Sequence, residues 1–309
     1  MQSDHVIDDA REQAFEFFNR YQTTGDPQLL LAAASQFRRS IQVARDADLR
    51  KASDLSDVCF VLTEFYRKTD ELWALDDAAA AGRAALGIGR DPDDSHMAMT
   101  RLGIALSLKF RATGAHAALV ESLACLRAAG RAADPIRPAS MASLFHLAEA
   151  LHLAYSDSED VALLNEAVEV GRLAARNRHP TQIASLVKLT RDLSALSYVR
   201  QDMNLLREAE AAARWAVQIT AGSDADDRAI CLLELARTLE DLYLNTSQLA
   251  YLEEAVDAAD AAVGLTRDSI QIHLRSMIAA NMAKQLQESG VDGATTDTSG
   301  TPPPPPLIR

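Results

Sequence analysis

Three cysteines are the side chains of this sequence best suited to nucleophilic chemistry. Cys59, Cys125 and Cys231 lie far apart in the chain, and no two of them have the two-residue spacing of a redox or zinc motif. A catalytic thiol needs exposure and a neighbouring base that generates the thiolate. Because each cysteine stands alone inside a helical pattern, we interpret all three as buried, reduced core residues.

One acidic cluster is a candidate metal site. Asp91, Asp93, Asp94 and His96 could supply oxygen and nitrogen ligands to a divalent cation. The same carboxylates are typical of the start of a helix, where they accept hydrogen bonds from free backbone N–H groups. We interpret Asp93 or Asp94 as the N-cap of the following helix, so no metal site is predicted there.

The remaining candidates for chemistry are a histidine pair and an acidic pair. His146 and His152 are six residues apart in a predicted helix, which places them on opposite sides of it. Asp76 and Asp77 fall on a position that carries charged residues in other copies of a repeat, so we expect them to be solvated. Phosphate loops, dinucleotide-binding glycine motifs, HExxH and nucleophile elbows are absent from the sequence. We therefore predict no catalytic residue, no metal and no cofactor, and expect the protein not to be an enzyme.

The charge balance and hydropathy restrict the partners and the compartment. The 309 residues include 44 acidic and 31 basic side chains, a net charge of −13, which disfavours binding to nucleic acid. No apolar run is long enough to cross a membrane, and the polar start of the chain lacks a signal segment. We expect a cytoplasmic protein that binds neither nucleic acid nor a membrane.

An internal repeat dominates the sequence. Six segments fit the pattern Leu-x-x-Ala-x-x-x-x-Arg-x-Ala with small substitutions, and successive copies are 42 to 46 residues apart. The leading leucines are Leu30, Leu75, Leu119, Leu164, Leu206 and Leu252. This spacing predicts six copies of one structural unit, each with a second helix that contains the pattern.

A first helix precedes each copy. Nine residues before the leading leucine stands an anchor residue. It is aromatic in five copies, at Tyr21, Tyr66, Phe110, Tyr155 and Tyr243, and it is Ser197 in the fifth copy. Positions four and eight residues before the anchor are mostly large and apolar, and the position seven before it is mostly small. These offsets fall on one helical face, so we predict that the first helix packs closely against a neighbour.

These residues resemble the tetratricopeptide repeat (TPR) family. The match covers residues 8 to 288, although each repeat here is about ten residues longer than the family's 34. The longer form is similar to bacterial, especially actinobacterial, TPR proteins that are often joined to a caspase-like CHAT peptidase domain. The resemblance implies an all-α TPR-like superhelix, an α-solenoid of six helix-hairpin repeats with a C-terminal capping helix.

The repeat pattern divides the chain into three parts: a flexible N-terminus at 1–7, a repeat domain at 8–288 and a disordered Pro-rich tail at 289–309. First helices are predicted near 8–22, 51–68, 94–112, 138–156, 180–199, 226–245 and 269–288. Second helices are predicted near 27–47, 71–88, 115–132, 160–177, 203–219 and 248–265. The last first-type helix is the predicted cap. The tail is either a plain terminus or a polyproline docking motif.

The resemblance implies a binding surface on the first helices, at positions two, three, six, ten and thirteen before each anchor. We predict a protein or peptide partner on this face. The predicted contact residues are Phe60, Glu64, Thr100, Phe145, Glu149, His152, Arg191, Ser194, Arg237 and Glu240. Longer helices could instead bury this face against itself, and a homo-oligomer is left open. The alternative function is a regulatory or sensor subunit that binds a small ligand or peptide and controls a separately encoded effector such as a CHAT-type peptidase.

Overall fold

The structure is a computed structural model that describes residues 2–44, 50–89, 91–133, 138–176, 179–222 and 224–265. Every regular element within these ranges is an α-helix, which confirms the all-α prediction. In chain order the helices are α1 (Gln2–Thr24), α2 (Gln28–Val43), α3 (Arg50–Thr69), α4 (Leu72–Ile88), α5 (Pro92–Thr113), α6 (His116–Arg131), α7 (Pro138–Ser158), α8 (Val161–Ala175), α9 (Gln182–Arg200), α10 (Met203–Ile219), α11 (Ala225–Thr246) and α12 (Leu249–Leu265).

Ten of these helices begin and end within two residues of the predicted bounds, and the two exceptions lie at the start of the chain. α1 begins at Gln2 rather than near residue 8, because Ile7 and Ala10 are buried and extend its packed face. α2 ends at Val43, four residues early, since the backbone of Ala44 is extended. The predicted cap at 269–288 and the tail at 289–309 lie outside the described residues.

The chain forms two compact units, Met1–Asp192 and Leu193–Arg309, whose boundary falls inside α9. In the first unit, α1 packs on α2, α3 on α4, α5 on α6 and α7 on α8, and each hairpin also packs on the next. The first helices α3, α5 and α7 are in direct contact in that order. In the second unit, α11 packs on both α10 and α12.

The residues of the repeat pattern form the core. All six leading leucines are at most 5% exposed, and the anchor-minus-four leucines of repeats two to six are at most 1% exposed. This burial confirms the register of the repeat. Apolar contact along these two faces is the main stabilising contribution of each hairpin, at roughly 25 cal/mol per Å² of apolar surface.

The turn inside each hairpin repeats the same backbone geometry. The residue four positions after the anchor has a left-handed φ between 53° and 71° in all six copies: Gly25, Asp70, Gly114, Glu159, Gln201 and Ser247. In five copies its N–H donates to the anchor carbonyl at 2.7–2.8 Å, which ends the first helix. In the fifth copy, the N–H of Asp202 donates to the carbonyl of Ser197 at 3.1 Å instead.

One glycine allows α5 and α6 to approach closely. A Cβ atom added at Gly103 would lie 2.5 Å from Cγ of Leu126, far inside van der Waals contact. The side chain of Leu126 is fully buried. The small residue predicted seven positions before the anchor is therefore a steric requirement in this repeat.

Arginine–carboxylate pairs join successive second helices, and we call this set the second-helix ladder. In each pair, the arginine eight residues after a leading leucine contacts the acid two residues after the next one. The pairs are Arg38–Asp77 (2.7 Å), Arg83–Glu121 (2.6 Å), Arg127–Glu166 (2.5 Å) and, in the second unit, Arg214–Glu254 (2.5 Å). The arginine of the sequence pattern thus contacts the next repeat.

The ladder also corrects the interpretation of the acidic pair on α4. Asp77 contacts Arg38, and Asp76 lies 2.5 Å from Nζ of Lys109. Both carboxylates are largely exposed, but they are ion-paired rather than only solvated.

Candidate binding groove on the first helices

Two adjoining cavities lie along the first helices of the first unit. The larger, of about 570 Å³, is lined by Arg67, Ile104, Ser107, Leu108, Arg111, His146, Glu149, Ala150, His152, Leu153, Lys188 and Arg191. The smaller, of about 90 Å³, is lined by Phe60, Thr63, Glu64, Arg67, Arg101, Ile104 and His146. Because three residues line both cavities, we describe them together as the first-helix groove, which crosses α3, α5, α7 and the part of α9 before residue 193.

The lining follows from the repeat. Every lining residue except Ala150 stands nine, six, three or two positions before an anchor, or one after it. Steps of three or four residues return to the same side of a helix. The buried positions four and eight before the anchor lie on a different side. One face of each first helix therefore forms the core and another lines the groove.

Five of the ten residues predicted as partner contacts line the groove. Phe60 and Glu64 on α3 line the smaller cavity. Glu149 and His152 on α7 and Arg191 on α9 line the larger one. The structure therefore brings these five side chains together along one surface.

Thr100 and Phe145, both ten positions before an anchor, line neither of these two cavities. The hydroxyl of Thr100 donates to the carbonyl of His96 at 2.9 Å, within its own helix. The ring of Phe145 lies edge-on to that of His146, with 5.0 Å between centroids. A shift of one residue rotates a side chain by about 100° around the helix, which explains why position nine lines the groove and position ten does not.

The other three predicted contacts belong to the second unit. Ser194 accepts a hydrogen bond through its carbonyl from the hydroxyl of Ser197 at 2.7 Å. Arg237 is exposed and lies 3.8 Å from Glu234 on α11. Glu240 is half-buried on the same helix. These three residues are placed on first helices, as the sequence predicts.

Four basic residues that line the groove were not among the predicted contacts. Arg67 and Arg111 stand one position after their anchors, and Arg101 and Lys188 stand nine positions before theirs. Neither position belongs to the set that the family resemblance implies. The signal was present in the repeat alignment, since both positions carry basic residues in more than one copy.

The electrostatic environment of Glu149 is positive. Burial by itself would raise the pKa of this carboxyl, but the hydrogen bond with Nδ1 of His146 at 2.9 Å and the charges of His146, Lys188 and Arg67 outweigh it and lower the pKa. The groove therefore favours negative charge at this point.

A buried carboxylate holds two side chains of the larger cavity in place. Asp192 is fully buried, and its Oδ1 accepts from Nζ of Lys188 and lies 2.6 Å from Nδ1 of His152. Burial lowers the pKa of Lys188, and the carboxylate of Asp192 opposes this change. Asp192 thus fixes a lysine of α9 and a histidine of α7 at the groove wall.

The smaller cavity has a different chemistry. The guanidinium of Arg101 lies 2.6 Å from Asp57 and 5.1 Å from the ring centroid of Phe60. Phe60 in turn packs against Phe18, with 5.5 Å between ring centroids. This end of the groove combines an aromatic surface with an arginine that is already neutralised.

Cys59 and Cys231 are buried, as the sequence predicts, whereas Cys125 is only half-buried. Burial raises the pKa of Cys59 to about 12 and that of Cys231 to about 11, and it also raises the pKa of Cys125. At neutral pH these thiols are protonated and weakly nucleophilic.

The acidic cluster before α5 is a helix cap. The carboxylate of Asp91 accepts from the N–H of Asp93 at 2.7 Å and of Asp94 at 3.4 Å, and Pro92 begins the helix. The N-cap is therefore Asp91 rather than Asp93 or Asp94, because the proline favours the first helical position. Among the described residues, no cluster of His, Cys, Asp and Glu could hold a metal ion. No helix among them is long and apolar enough to cross a bilayer.

Comparisons with known proteins find similar architectures but no family. No family model and no curated protein match the sequence. Among solved structures, the TPR-like repeats of a kinesin light chain from Podosopora anserina are 19% identical, cover 72% of this chain and 99% of their own, and give a TM-score of 0.46. The nuclear import adaptor Nro1 of S. pombe is 13% identical over 96% of both chains, with a TM-score of 0.44.

BtubC of P. vanneervenii is 13% identical over 100% of this chain and 99% of its own, with a TM-score of 0.41. At such scores the similarity carries no information on partners or function. The description of this chain as a helical-hairpin repeat protein rests on its own repeated geometry.

Proposed function

We propose that this protein is a non-catalytic binding module whose first-helix groove holds a segment of a partner protein. The observation that carries the proposal is the groove itself, which continues along the first helices of four repeats and is lined mostly by side chains that are only partly buried. Its lining combines the apolar side chains of Ile104, Leu108 and Leu153 with charged ones, a combination that suits a peptide with both apolar and polar side chains.

The size of the groove agrees with a peptide ligand. Packed helices lie about 8–10 Å apart, so the four first helices that line the groove span roughly 25–30 Å. An extended chain covers about 3.3 Å per residue, so about eight residues would fill this length. A second copy of this chain could also supply the segment.

The proposal that the protein is not an enzyme is supported by the raised pKa values of the cysteines. It is also supported by the contacts of His146 and His152, since Nδ1 of each ring lies within hydrogen-bond distance of a carboxylate, that of Glu149 and that of Asp192. Neither imidazole ring forms a hydrogen bond with a hydroxyl group among the described residues.

Site-specific photo-crosslinking tests the binding module. A photoreactive side chain at Ile104 would face both cavities, whereas the matched control at Val120 would lie on α6, 69% exposed and outside the groove. We expect crosslinks at position 104 to map to one continuous segment of one protein, whether a partner or a second copy. Equal crosslinking at position 120, or crosslinks at 104 scattered over many proteins, would refute the groove as the binding site.

A further inference from the structure

The larger cavity concentrates positive charge in an acidic protein. Arg67, Arg111, Lys188 and Arg191 all line it, and Glu149 is its only lining acid, in a chain of net charge −13. Asp192 lies behind the wall and neutralises one of these charges. Basic side chains gathered around one cavity attract an anion to it.

The cations come from three different helices. Arg67 is on α3 and pairs with Glu64 in its own helix, while Arg111 on α5 is exposed and makes no ion pair with any residue that the structure describes. Lys188 and Arg191 stand one turn apart on α9. The charges therefore surround a common space rather than forming a stripe along one helix.

The pKa of the one acid that lines the cavity agrees with a positive environment. Burial would raise the pKa of Glu149, but the hydrogen bond with His146 and the charges of His146, Lys188 and Arg67 lower it. The ionised carboxylate of Glu149 is thus stabilised at this point, as expected where basic side chains surround it. The lowered pKa of Lys188 has a different cause, since burial lowers it while Asp192 and Glu149 oppose the change.

We propose that the larger cavity binds a phosphate group, and that the partner segment is a phosphorylated peptide. A phosphate monoester carries about −1.5 to −2 charges and three strong acceptor oxygens, whereas one Asp or Glu carboxylate carries a single charge. Planar guanidinium groups match phosphate oxygens in pairs, and three of the four cations are arginines.

Ile104 and Leu153, which line the same cavity as the cations, would contact the aliphatic part of the phosphorylated side chain. This inference rests on the proposed function, because it names the chemistry of the segment that the groove holds.

Short synthetic peptides test the inference without knowledge of the natural partner. The probe is phosphoserine flanked by two glycines on each side, compared with the same peptide carrying serine or glutamate. We expect saturable binding of the phosphopeptide by calorimetry and a higher melting temperature in its presence. The glutamate peptide is expected to bind about tenfold more weakly, and the serine peptide not at all. Equal affinity for the phosphoserine and glutamate peptides, or no phosphopeptide binding up to millimolar concentration, would overturn the proposal.

A pair of charge-matched variants locates the site. The double variant Arg67→Gln/Arg111→Gln removes two cavity cations that are not buried, and it is expected to weaken phosphopeptide binding by about tenfold or more. The control Lys68→Gln/Arg131→Gln removes two exposed cations outside both cavities and is expected to leave the affinity within about twofold. Circular dichroism verifies that both variants fold. Equal losses in the two variants would show that only net charge matters and would refute the site.

Phosphatase treatment separates this inference from the proposed function. We expect it to abolish the crosslink formed at position 104. If the same partner segment were still captured after dephosphorylation, the binding module would stand and the phosphate site would be wrong.

Discussion

Replacement of Gly103 by alanine tests how closely α5 and α6 are required to pack. The added Cβ would lie 2.5 Å from Cγ of Leu126 and 2.8 Å from its Cδ2. Cγ is the branch point of that side chain, so rotation about its last bond does not relieve the contact. Leu126 is fully buried, and the two helices must separate or Leu126 must leave its rotamer.

Two opposing effects determine how much Gly103→Ala changes the free energy of unfolding. Alanine is favoured over glycine in a helix interior by about 1 kcal/mol. Overpacking of a filled core costs about 1–3 kcal/mol, and contact with a branch point belongs to the upper half of that range. We expect Gly103→Ala to lower the free energy of unfolding by about 1–2 kcal/mol and the melting temperature by about 3–6 °C.

The control is the same substitution on α4. Gly87 is an exposed helical residue, and a Cβ added there would meet no atom within 4 Å. Gly87→Ala should therefore raise stability by about 0.5–1 kcal/mol. Thermal and urea unfolding followed by far-UV circular dichroism measure both variants. If Gly103→Ala were as stable as the wild type, the close approach would be irrelevant and the steric reasoning wrong.

Three further predictions concern charge and backbone conformation. A double-mutant cycle on Arg83→Gln and Glu121→Gln, measured by urea unfolding, should give a coupling free energy of about 0.3–1 kcal/mol, because the pair is half-exposed. High salt should reduce this coupling, and a coupling that salt leaves unchanged would contradict the ion pair. Desolvation, assisted by Glu240, raises the pKa of Asp241 from 3.8 to about 6, so its charged form destabilises the fold as pH rises through that value. Asp241→Asn should be more stable than the wild type by about 1–2 kcal/mol near neutral pH and equal to it below about pH 4, and urea unfolding at both pH values checks the difference. Glu159→Gly should raise the melting temperature, because Glu159 has a φ of 56° that costs about 1 kcal/mol for a residue with a Cβ; an unchanged or lower value would argue against strain at this turn.

The fold was predictable because its core repeats in the sequence. Leu75 and Leu164 are both buried and hold the same position in their repeats. The regular spacing of such leucines is therefore enough to identify the repeat. The start of α1 was predicted six residues late because Ile7, which is buried, stands in a mostly polar and acidic segment. One buried residue per turn is too weak a pattern to mark a helix end.

The groove was only half predictable. Positions taken from a 34-residue repeat found Phe60 and Arg191 but selected Thr100, ten residues before its anchor, in place of Arg101, nine before it. The helices here are longer, and a one-residue difference rotates the side chain by about 100°. Which face of a first helix lines the groove depends on how neighbouring repeats pack. The contacts that determine this packing join residues about 44 positions apart in the sequence.

The second-helix ladder determines how such a chain can change in length. Repeats two and three each carry both halves of the contact, an acid for the repeat before and an arginine for the repeat after, as Glu121 and Arg127 show on α6. Duplication of one hairpin would add one complete pair, and deletion of the α5–α6 hairpin would bring Arg83 opposite Glu166 with no charge left alone. Whole repeats can therefore be gained or lost in evolution, or by design, without a compensating substitution on this face. Each added repeat would lengthen the groove by one first helix, and each deleted repeat would shorten it by one.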